Sequence, residues 1–309
     1  MRIAIMGAGG LGGYFGGMLA RAGEDVHFIA RGPHLEAMRS NGLTVKTSTI
    51  GEFTVPVNAT DDPSEIGTAD LVMMCVKTYD TESAAQLIRP LIGPDTIVIS
   101  VQNGVENEEI IGRVIGSEHV LGCVAYVTSN IESPGVVKEI SYRDIIIGEL
   151  AGGTSSRVDE LANTLEKAGL PTNVPSDINM DIWGKFLVIS AYSAVCSVTR
   201  VPMGTIRAHP ETESLLWGAL DEGIAVADAA GVALPKGLKD TLMNIASGLP
   251  PAHRASMYFD LEAGKPMELE DLVGVVVRLG EKYGVPTPLT FAMYAALKPY
   301  ANGAPEIPS

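Results

Sequence analysis

The first dozen residues constrain the fold most, because an apolar segment at residues 3–6 runs directly into Gly7-Ala8-Gly9-Gly10-Leu11-Gly12. Gly7 permits a tight turn, Gly9 lets backbone N–H groups approach a pyrophosphate, and Gly12 lets a following helix pack close to a sheet. The motif alone also fits an ordinary loop. Here, however, a helical pattern and a second apolar strand at residues 26–29 follow within the roughly 30 residues of a βαβ unit. We therefore expect a dinucleotide-binding segment.

The residue after the second strand bears on which dinucleotide binds. Chains built for NAD place an acidic residue there, which accepts hydrogen bonds from the ribose 2′-hydroxyl, whereas this chain has Arg31. A guanidinium forms charge-assisted hydrogen bonds with a phosphate, so Arg31 favours a 2′-phosphate and hence NADP(H). The alternative is a solvated arginine at the end of a strand.

Composition indicates a soluble, cytoplasmic protein. The chain has 309 residues, enough for two domains, and its apolar runs stop well short of the ~20 residues needed to span a bilayer. Cys75, Cys123 and Cys196 are widely separated in apolar surroundings, so we expect buried thiols and neither disulfides nor a metal site. A net charge of −15 argues against nucleic-acid and anionic-membrane partners.

Periodicity predicts an α/β fold in two domains. Residues 1–178 alternate strands and helices, which indicates an N-terminal Rossmann-type domain with a doubly wound parallel sheet that binds NADP. Residues 179–309 show helical periods only, which predicts an all-α C-terminal domain for substrate and catalysis. Predicted strands cover residues 3–6, 26–29, 71–76, 96–101, 119–127 and 144–148. Predicted helices in the second domain cover residues 178–199, 211–231, 236–246, 255–263, 268–283 and 288–300.

Ligands of open parallel sheets bind beyond the carboxyl ends of the strands, where two segments contain polar residues. Lys77 follows the strand at 71–76, and Asn103-Gly104 follows the strand at 96–101. Asn103 offers a donor and an acceptor to a ribose or a substrate carbonyl, and Gly104 is expected to start the next helix. An ordinary Asn-Gly turn and a solvated loop lysine are equally consistent with these residues.

Lys185 is the one lysine in an apolar helical stretch, Met180-Asp181-Ile182-Trp183-Gly184-Lys185-Phe186-Leu187. An ammonium directed into a cleft can donate a proton to a ketone oxygen that is gaining negative charge. The alternative is a lysine whose stem packs on the core while its ammonium reaches solvent. Glu268 begins a predicted helix, where a carboxylate is also favoured by the helix dipole.

Together these residues resemble the ketopantoate reductase (2-dehydropantoate 2-reductase) family over nearly the whole chain. The matching elements, in order, are Gly7-x-Gly9-Gly10-x-Gly12, Val76-Lys77, Gln102-Asn103-Gly104-Val105, Trp183-x-Lys185, Ser256-Met257 with Asp260, Glu268, and Val285-Pro286-Thr287-Pro288. Each element is weak alone, but their order and spacing are specific.

The resemblance implies a Rossmann domain joined to a helical domain, an active site in the cleft between them, and NADPH as the reductant. It makes Lys185 the catalytic acid and Glu268 the residue that holds and tunes it. Substrate contacts are implied for Asn103 and Ser256, and contacts on the adenosine-phosphate side for Arg31 and Lys77.

Two positions depart from the family pattern. Family members commonly have asparagines that contact substrate one and two turns after the lysine, whereas this chain has Ile189 and Ser193. Spacings of four and eight residues place both on the face of Lys185, so they should line the same pocket. Isoleucine cannot replace the hydrogen bonds of an asparagine, which bears on substrate identity. Val273, where members commonly have Asn before Gly274, adds to that question.

The resulting hypothesis is an NADPH-dependent reductase that converts a 2-oxoacid to a 2-hydroxyacid, with 2-dehydropantoate as the leading substrate. One alternative is a paralogous 2-hydroxyacid dehydrogenase with a more apolar substrate and with NADP or NAD as its cofactor. Another is a non-catalytic protein that senses NADP. We also consider a homodimer, because all-α domains with several apolar faces often associate.

Overall fold

A computed structural model describes residues 1–305, with all their side chains except those at positions 142 and 143. The chain divides into two compact units, Met1–Asn179 and Met180–Ser309. The first combines strands and helices, and the described part of the second is helical.

Within the described residues, ten strands of the first unit form one sheet. They are β1 (Arg2–Met6), β2 (Asp25–Ile29), β3 (Leu43–Thr47), β4 (Gly51–Val55), β5 (Asn58–Thr60), β6 (Leu71–Met74), β7 (Ile97–Ser100), β8 (Val120–Ser133), β9 (Val136–Gly148) and β10 (Thr172–Asn173). One half runs β5-β2-β1-β6-β7-β8 with every pair parallel, which is the strand order of a Rossmann domain. The expected fold class is therefore confirmed.

Side chains of the parallel strands alternate between two cores. Ile3 and Ile5 of β1 belong to one buried cluster, whereas Ala4 and Met6 belong to another. Because successive residues of a strand point to opposite faces, this division shows that both faces of the sheet are covered. Burial on both faces explains why these strands are continuous apolar runs in the sequence.

The other half of the sheet contains antiparallel pairs, which the sequence analysis did not predict. β8 and β9 pair antiparallel, as do β3 and β4, and β3 joins β9 in parallel. Only Pro134 and Gly135 separate β8 from β9, and Gly135 has φ +77°. Two residues can form a hairpin but cannot cross over to a parallel neighbour, so the antiparallel pairing follows. The two strands also extend further than predicted, over Val120–Ser133 and Val136–Gly148.

Helices of the first unit are α1 (Gly10–Arg21), α2 (Gly32–Asn41), α3 (Thr81–Leu87), α4 (Asn107–Ile115) and α5 (Ser156–Lys167), with short 3-10 turns at Pro63–Glu65, Thr78–Asp80, Arg89–Leu91 and Ser117–His119. α2 and the β3–β4 hairpin lie where the sequence analysis assigned no element. Pro33, in the first turn of α2, is a helix-start signal that could have identified this helix.

The second unit contains α6 (Ile178–Thr199), which begins two residues before the division, then α7 (Met203–Ala208), α8 (Pro210–Ala229), α9 (Leu238–Ser247), α10 (Ser256–Glu262), α11 (Val275–Tyr283) and α12 (Pro288–Leu297). A π-helical turn, Glu270–Gly274, precedes α11, and a 3-10 turn, Lys298–Tyr300, follows α12. The expected all-α second domain is thus confirmed. α7 was not predicted.

α6 is long and apolar enough to cross a bilayer by length and composition alone, with a mean hydropathy of 1.4 over its most apolar window. However, 61% of that window is buried inside the protein. The core helix of a soluble domain has the same properties, so α6 gives little support for a membrane location.

Candidate active site

The glycine-rich loop leaves β1 through a conformation that requires glycine. Gly7 has φ +96°, and a Cβ there would lie 2.9 Å from Val76 Cγ1. The N–H groups of Gly7 and Ala8 both donate to the carbonyl oxygen of Ile29, at 3.2 and 3.1 Å. These bonds fasten the loop to the end of β2, beside Arg31.

Three glycines at the start of α1 have different surroundings. A Cβ on Gly12 would lie 2.2 Å from the Gly7 oxygen, and one on Gly10 would lie 2.4 Å from the Ser129 oxygen of β8. A Cβ on Gly9 would meet nothing within 4 Å. The backbone is therefore packed closely at Gly10 and Gly12. It faces open space at Gly9, the N-cap residue of α1.

The N-terminus of α1 has the features of an anion site. N–H groups of a first helical turn have no carbonyl one turn earlier to bond, and the helix dipole makes this end positive. Open space beside Gly9 leaves room for a phosphate at these donors. Among the predicted cofactor residues, Gly9, Gly10 and Leu11 are half-buried, whereas Ala8 is buried. The loop thus fits a dinucleotide pyrophosphate.

Arg31 lies two residues after β2, at the N-cap position of α2. Its side chain is exposed and forms no hydrogen bond or ion pair with residues 1–305. An exposed guanidinium without a partner remains available to a 2′-phosphate.

Sequence reasoning missed His34, on α2 close to Arg31. Its Nδ1 accepts a hydrogen bond from the N–H of Gly135 at 3.0 Å, which assigns the neutral tautomer with the proton on Nε2. Burial lowers the pKa of His34. The imidazole is therefore neutral at pH 7 and adds no positive charge beside the loop.

The register of the parallel strands aligns the segments that carry the other candidates. Met6 of β1 pairs with Met74 of β6, which pairs with Ser100 of β7. Neighbouring strands are about 4.8 Å apart, so the segments that follow these three residues lie side by side. Lys77 and Asn103 each come three residues after their strand's member of this row. Lys77 is half-buried and so is not a fully solvated loop lysine.

Buried hydrogen bonds join the segments after β6 and β7. Ser100 Oγ donates to Gln102 Oε1 at 2.9 Å, and Gln102 Nε2 donates to Thr81 Oγ1 at 2.8 Å. Asn107 Nδ2 donates to the carbonyl oxygen of Asn103 at 2.9 Å. The last of these bonds holds the backbone of Asn103, and Asn103 is half-buried.

The helix after β7 starts later than predicted. Gly104 has φ +114° and lies in a bend, and α4 begins at Asn107 with Glu106 as its N-cap. A positive φ is incompatible with a right-handed helix, so Gly104 cannot be a helical residue. The expectation that Gly104 starts this helix was wrong.

In the second unit, α6 carries three of the predicted site residues. Lys185 and Ile189 are half-buried, whereas the neighbouring Phe186 and Leu187 are only 2% and 1% exposed. Ser193 is 1% exposed, and its Oγ has no hydrogen-bond partner among residues 1–305. A buried hydroxyl without a partner is unfavourable, which is typical of a group that awaits a ligand or water.

Glu268 directly precedes the helical segment that it was expected to begin. Its carbonyl oxygen accepts the N–H of Leu272 at 3.0 Å, and its side chain is 5% exposed. The π-helical turn Glu270–Gly274 follows at once, a feature that often occurs at functional sites. Its conformation is stabilised by Glu270, which accepts hydrogen bonds from Tyr294 Oη and Lys298 Nζ. The sequence did not reveal this turn.

Ser256 is the first residue of α10 and is exposed. The segment before it is fastened to α6, because Tyr192 Oη donates to the carbonyl oxygen of His253 at 2.6 Å and the two rings stack with centroids 5.5 Å apart. Tyr192 lies two turns after Lys185, so residues 253–256 lie alongside the helix that carries the lysine.

Within residues 1–305, no group of three His, Cys, Asp or Glu side chains is placed to hold a metal ion. The predicted cofactor residues cluster at the carboxyl edge of the parallel strands in the first unit. The predicted catalytic and remaining substrate residues come from three segments of the second unit: α6, the start of α10, and the segment that leads into the π-helical turn.

Comparison with known proteins identifies the family. The sequence model described as "Ketopantoate reductase PanE/ApbA" matches residues 3–152, and that described as "Ketopantoate reductase PanE/ApbA C terminal" matches residues 177–301. The chain belongs to the ketopantoate reductase family.

Similar proteins match along almost their entire length. The curated 2-dehydropantoate 2-reductase of Mesorhizobium japonicum is 33% identical over 320 residues, covering 96% of this chain and 97% of the relative. The crystal structure of a PanE/ApbA family ketopantoate reductase from Ralstonia eutropha has a TM-score of 0.90 at 34% identity, covering 97% and 98% of the two chains. D-mandelate dehydrogenase, solved with NADH and anilino(oxo)acetate, has a TM-score of 0.89 at 26% identity, covering 97% and 98%.

These findings confirm the family and the expectation of an oxidoreductase acting on CH–OH groups. The family is one of pyridine-nucleotide-dependent reductases. A non-catalytic sensor is therefore set aside.

Proposed function

We propose that this ketopantoate reductase family member uses NADPH to reduce a 2-oxoacid to a 2-hydroxyacid, with 2-dehydropantoate reduced to pantoate as the leading reaction. The observation that carries the proposal is Lys185, a half-buried ammonium on a largely apolar helix. An ammonium in such a position can stabilise the oxygen of a ketone as it becomes an alkoxide.

NADP(H) is proposed as the cofactor from two features of the first unit. Open space beside Gly9 at the start of α1 suits the pyrophosphate, and the unpartnered Arg31 suits a 2′-phosphate. Lys77 and Asn103 follow the two neighbouring strands, where they would contact the adenosine phosphate and the ribose, respectively. Structural neighbours solved with NADH make NAD the competing cofactor.

The bound dinucleotide would supply a hydride to C2 of the oxoacid. Lys185 Nζ would donate a hydrogen bond to the C2 ketone oxygen and transfer its proton as that oxygen gains negative charge. This interaction is stronger in the transition state than with the ketone, and so it increases the rate of the chemical step. Glu268, a buried carboxylate in the same unit, would orient Lys185 and favour its protonated form.

The remaining residues would position the substrate. Asn103 and Ser256 offer hydrogen bonds to its polar groups, and the unpartnered Oγ of Ser193 is available to a hydroxyl. Ile189 presents a methyl surface one turn from Lys185, where an amide would serve a polar arm better.

A more apolar 2-oxoacid is the second candidate substrate. Ile189 favours it, and so does the similarity to D-mandelate dehydrogenase, whose solved complex contains anilino(oxo)acetate. An apolar wall favours a branched or aromatic side chain by about 1–3 kcal/mol.

Titration calorimetry with NADPH and NADH, followed by turnover with ketopantoate, 2-oxoisovalerate and phenylglyoxylate, tests the proposal. NADPH binding and turnover of at least one oxoacid support it. Binding without turnover of any oxoacid would contradict it. We further propose a cytoplasmic location and a homodimer, the latter testable by light scattering in solution.

A further inference from the structure

Arg254, in the second unit, is an arginine without an acceptor. It is half-buried, its Nε is buried without a hydrogen-bond partner, and it forms no hydrogen bond or ion pair with residues 1–305. Its guanidinium carbon lies 5.3 Å from the centroid of the Tyr258 ring. Leaving a buried guanidinium donor such as this Nε–H unpaired is costly.

Other arginines of this unit show that acceptors are readily found. Arg200 pairs with Glu262 at 2.6 Å, and Arg207 donates to the Ser247 carbonyl oxygen. The whole chain has 37 acidic residues against 22 basic ones. An arginine without an acceptor in such a protein indicates that its donors are reserved for a group that the chain does not supply.

Hydrogen bonds to the preceding residue, His253, place Arg254 beside the face of α6 that carries Lys185. Its neighbour His253 is held by two bonds to its carbonyl oxygen, from Tyr192 Oη at 2.6 Å and from the Met203 N–H at 3.0 Å. Tyr192 follows Lys185 by seven residues, which at about 100° per residue is nearly two full turns, so both lie on one face.

Electrostatics agrees with this placement. Burial raises the pKa of Tyr192 and of Cys196, and the charge of Arg254 acts in the opposite direction on both. Cys196 is eleven residues after Lys185, again close to a whole number of turns. The guanidinium therefore lies along the same stripe of α6 as the lysine.

We propose that Arg254 binds the carboxylate of the 2-oxoacid, an inference that rests on the proposed function. The planar guanidinium matches a carboxylate with two parallel hydrogen bonds, and the Tyr258 ring, 5.3 Å from the guanidinium carbon, supports it on one side. Lysine and arginine are both long, so from positions two turns apart they can converge on the ketone and the carboxylate of one small molecule. Arg254 is then a substrate-orienting residue that makes the enzyme selective for acids over neutral ketones.

Arg254→Gln is the test variant, and Arg200→Gln is the matched control, because it removes another guanidinium from the same unit. For 2-oxoisovalerate, the KM of Arg254→Gln should rise about 10- to 100-fold, as expected for loss of hydrogen bonds between charged groups. Its KM for the neutral amide of the same oxoacid and its affinity for NADPH should stay within threefold of the parent values. Arg200→Gln should match the parent protein with both substrates. An unchanged KM for the oxoacid, or an equal rise for the amide, would overturn the proposal.

A binding measurement separates this inference from the proposed function. Calorimetry of oxamate, an unreactive carboxylate analogue, with the NADP⁺ complex should show binding at least tenfold weaker for Arg254→Gln than for the parent, whether or not the parent turns over any oxoacid. Equal oxamate affinity would overturn the inference even if the protein proves to be a reductase. If Arg254→Gln does not fold, Arg254→Lys keeps the charge and stem but loses the paired geometry. It should then show the same tenfold loss, and parental affinity would overturn the proposal.

Discussion

Alanine at Gly10 should destabilise the first unit, whereas alanine at Gly9 should leave its stability unchanged. A Cβ on Gly10 would lie 2.4 Å from the Ser129 oxygen and 2.8 Å from Asn130 Cα, so the backbone of β8 would have to move. Overpacking of this kind costs about 1–3 kcal/mol or more, against a gain of about 1 kcal/mol from alanine in a helix. Because the clash is with backbone, we expect a net loss of about 2 kcal/mol, or a Tm lower by roughly 4–8 °C.

Alanine at Gly9 should instead weaken binding of the cofactor. No atom lies within 4 Å of a Cβ there, and φ is −70°, which alanine adopts without strain. The methyl group would occupy the space proposed for the pyrophosphate. Affinity for NADPH should therefore fall about tenfold or more, equivalent to at least about 1.4 kcal/mol.

Two measurements on both variants and the parent protein test these predictions. Thermal unfolding followed by circular dichroism gives the Tm, and calorimetry gives the affinity for NADPH. A Gly10→Ala protein as stable as the parent would refute the close packing of α1 on β8. A Gly9→Ala protein that binds NADPH with parental affinity would refute the proposed pyrophosphate position.

Four further substitutions test the proposed cofactor, catalytic and substrate residues and one ion pair. Arg31→Ala should remove most of an expected preference of at least about tenfold for NADPH over NADH, and equal affinities in the parent protein would contradict the role of this arginine. Lys185→Ala should lower kcat by roughly 100-fold with NADPH affinity nearly unchanged, whereas a normal kcat would disprove the proposed acid. Ile189→Asn should shift the ratio of kcat/KM toward ketopantoate and away from phenylglyoxylate; no shift would remove Ile189 from substrate selection. The hydrogen bonds from Arg157 hold the pKa of Glu149 below its usual range, so this pair stabilises the fold above the ordinary pKa of a glutamate, and that stability is lost as pH falls through the lowered value. Glu149→Gln should flatten the loss of stability in acid, measured by urea unfolding across that range, and an unchanged pH profile would show that Glu149 does not carry it.

The sequence predicted best the elements with unambiguous periodicity. The α6 prediction, residues 178–199, coincides with the observed Ile178–Thr199, and β1, β2, β6 and β7 of the parallel half were each predicted to within two residues of their ends. Buried parallel strands are continuous apolar runs, and long helices repeat their pattern over many turns, so both are recognisable without tertiary information.

Elements that depend on tertiary contacts were missed. The strands at residues 119–127 and 144–148 were predicted, but their pairing as a hairpin was not, although Pro134-Gly135 is a turn signal that could have indicated the reversal. Short pieces such as α7 and the β3–β4 hairpin carry too few periods to stand out.

The candidate site was predicted residue by residue but not in its supporting structure. Lys77 and Asn103 were selected as candidates because they follow strands. The π-helical turn after Glu268 and the unpartnered guanidinium of Arg254 depend on packing that no local pattern encodes. Only the three-dimensional arrangement shows that a polar group lacks a partner.

Transfer of deuterium from labelled NADPH tests the central claim most directly. The purified protein is incubated with NADPH deuterated at C4 of the nicotinamide and with ketopantoate or phenylglyoxylate, and the products are examined by NMR. The proposed function predicts a 2-hydroxyacid with deuterium at C2, formed at least about 100-fold more slowly by Lys185→Ala. Absence of the labelled hydroxyacid with every oxoacid, while NADPH remains bound, would contradict it.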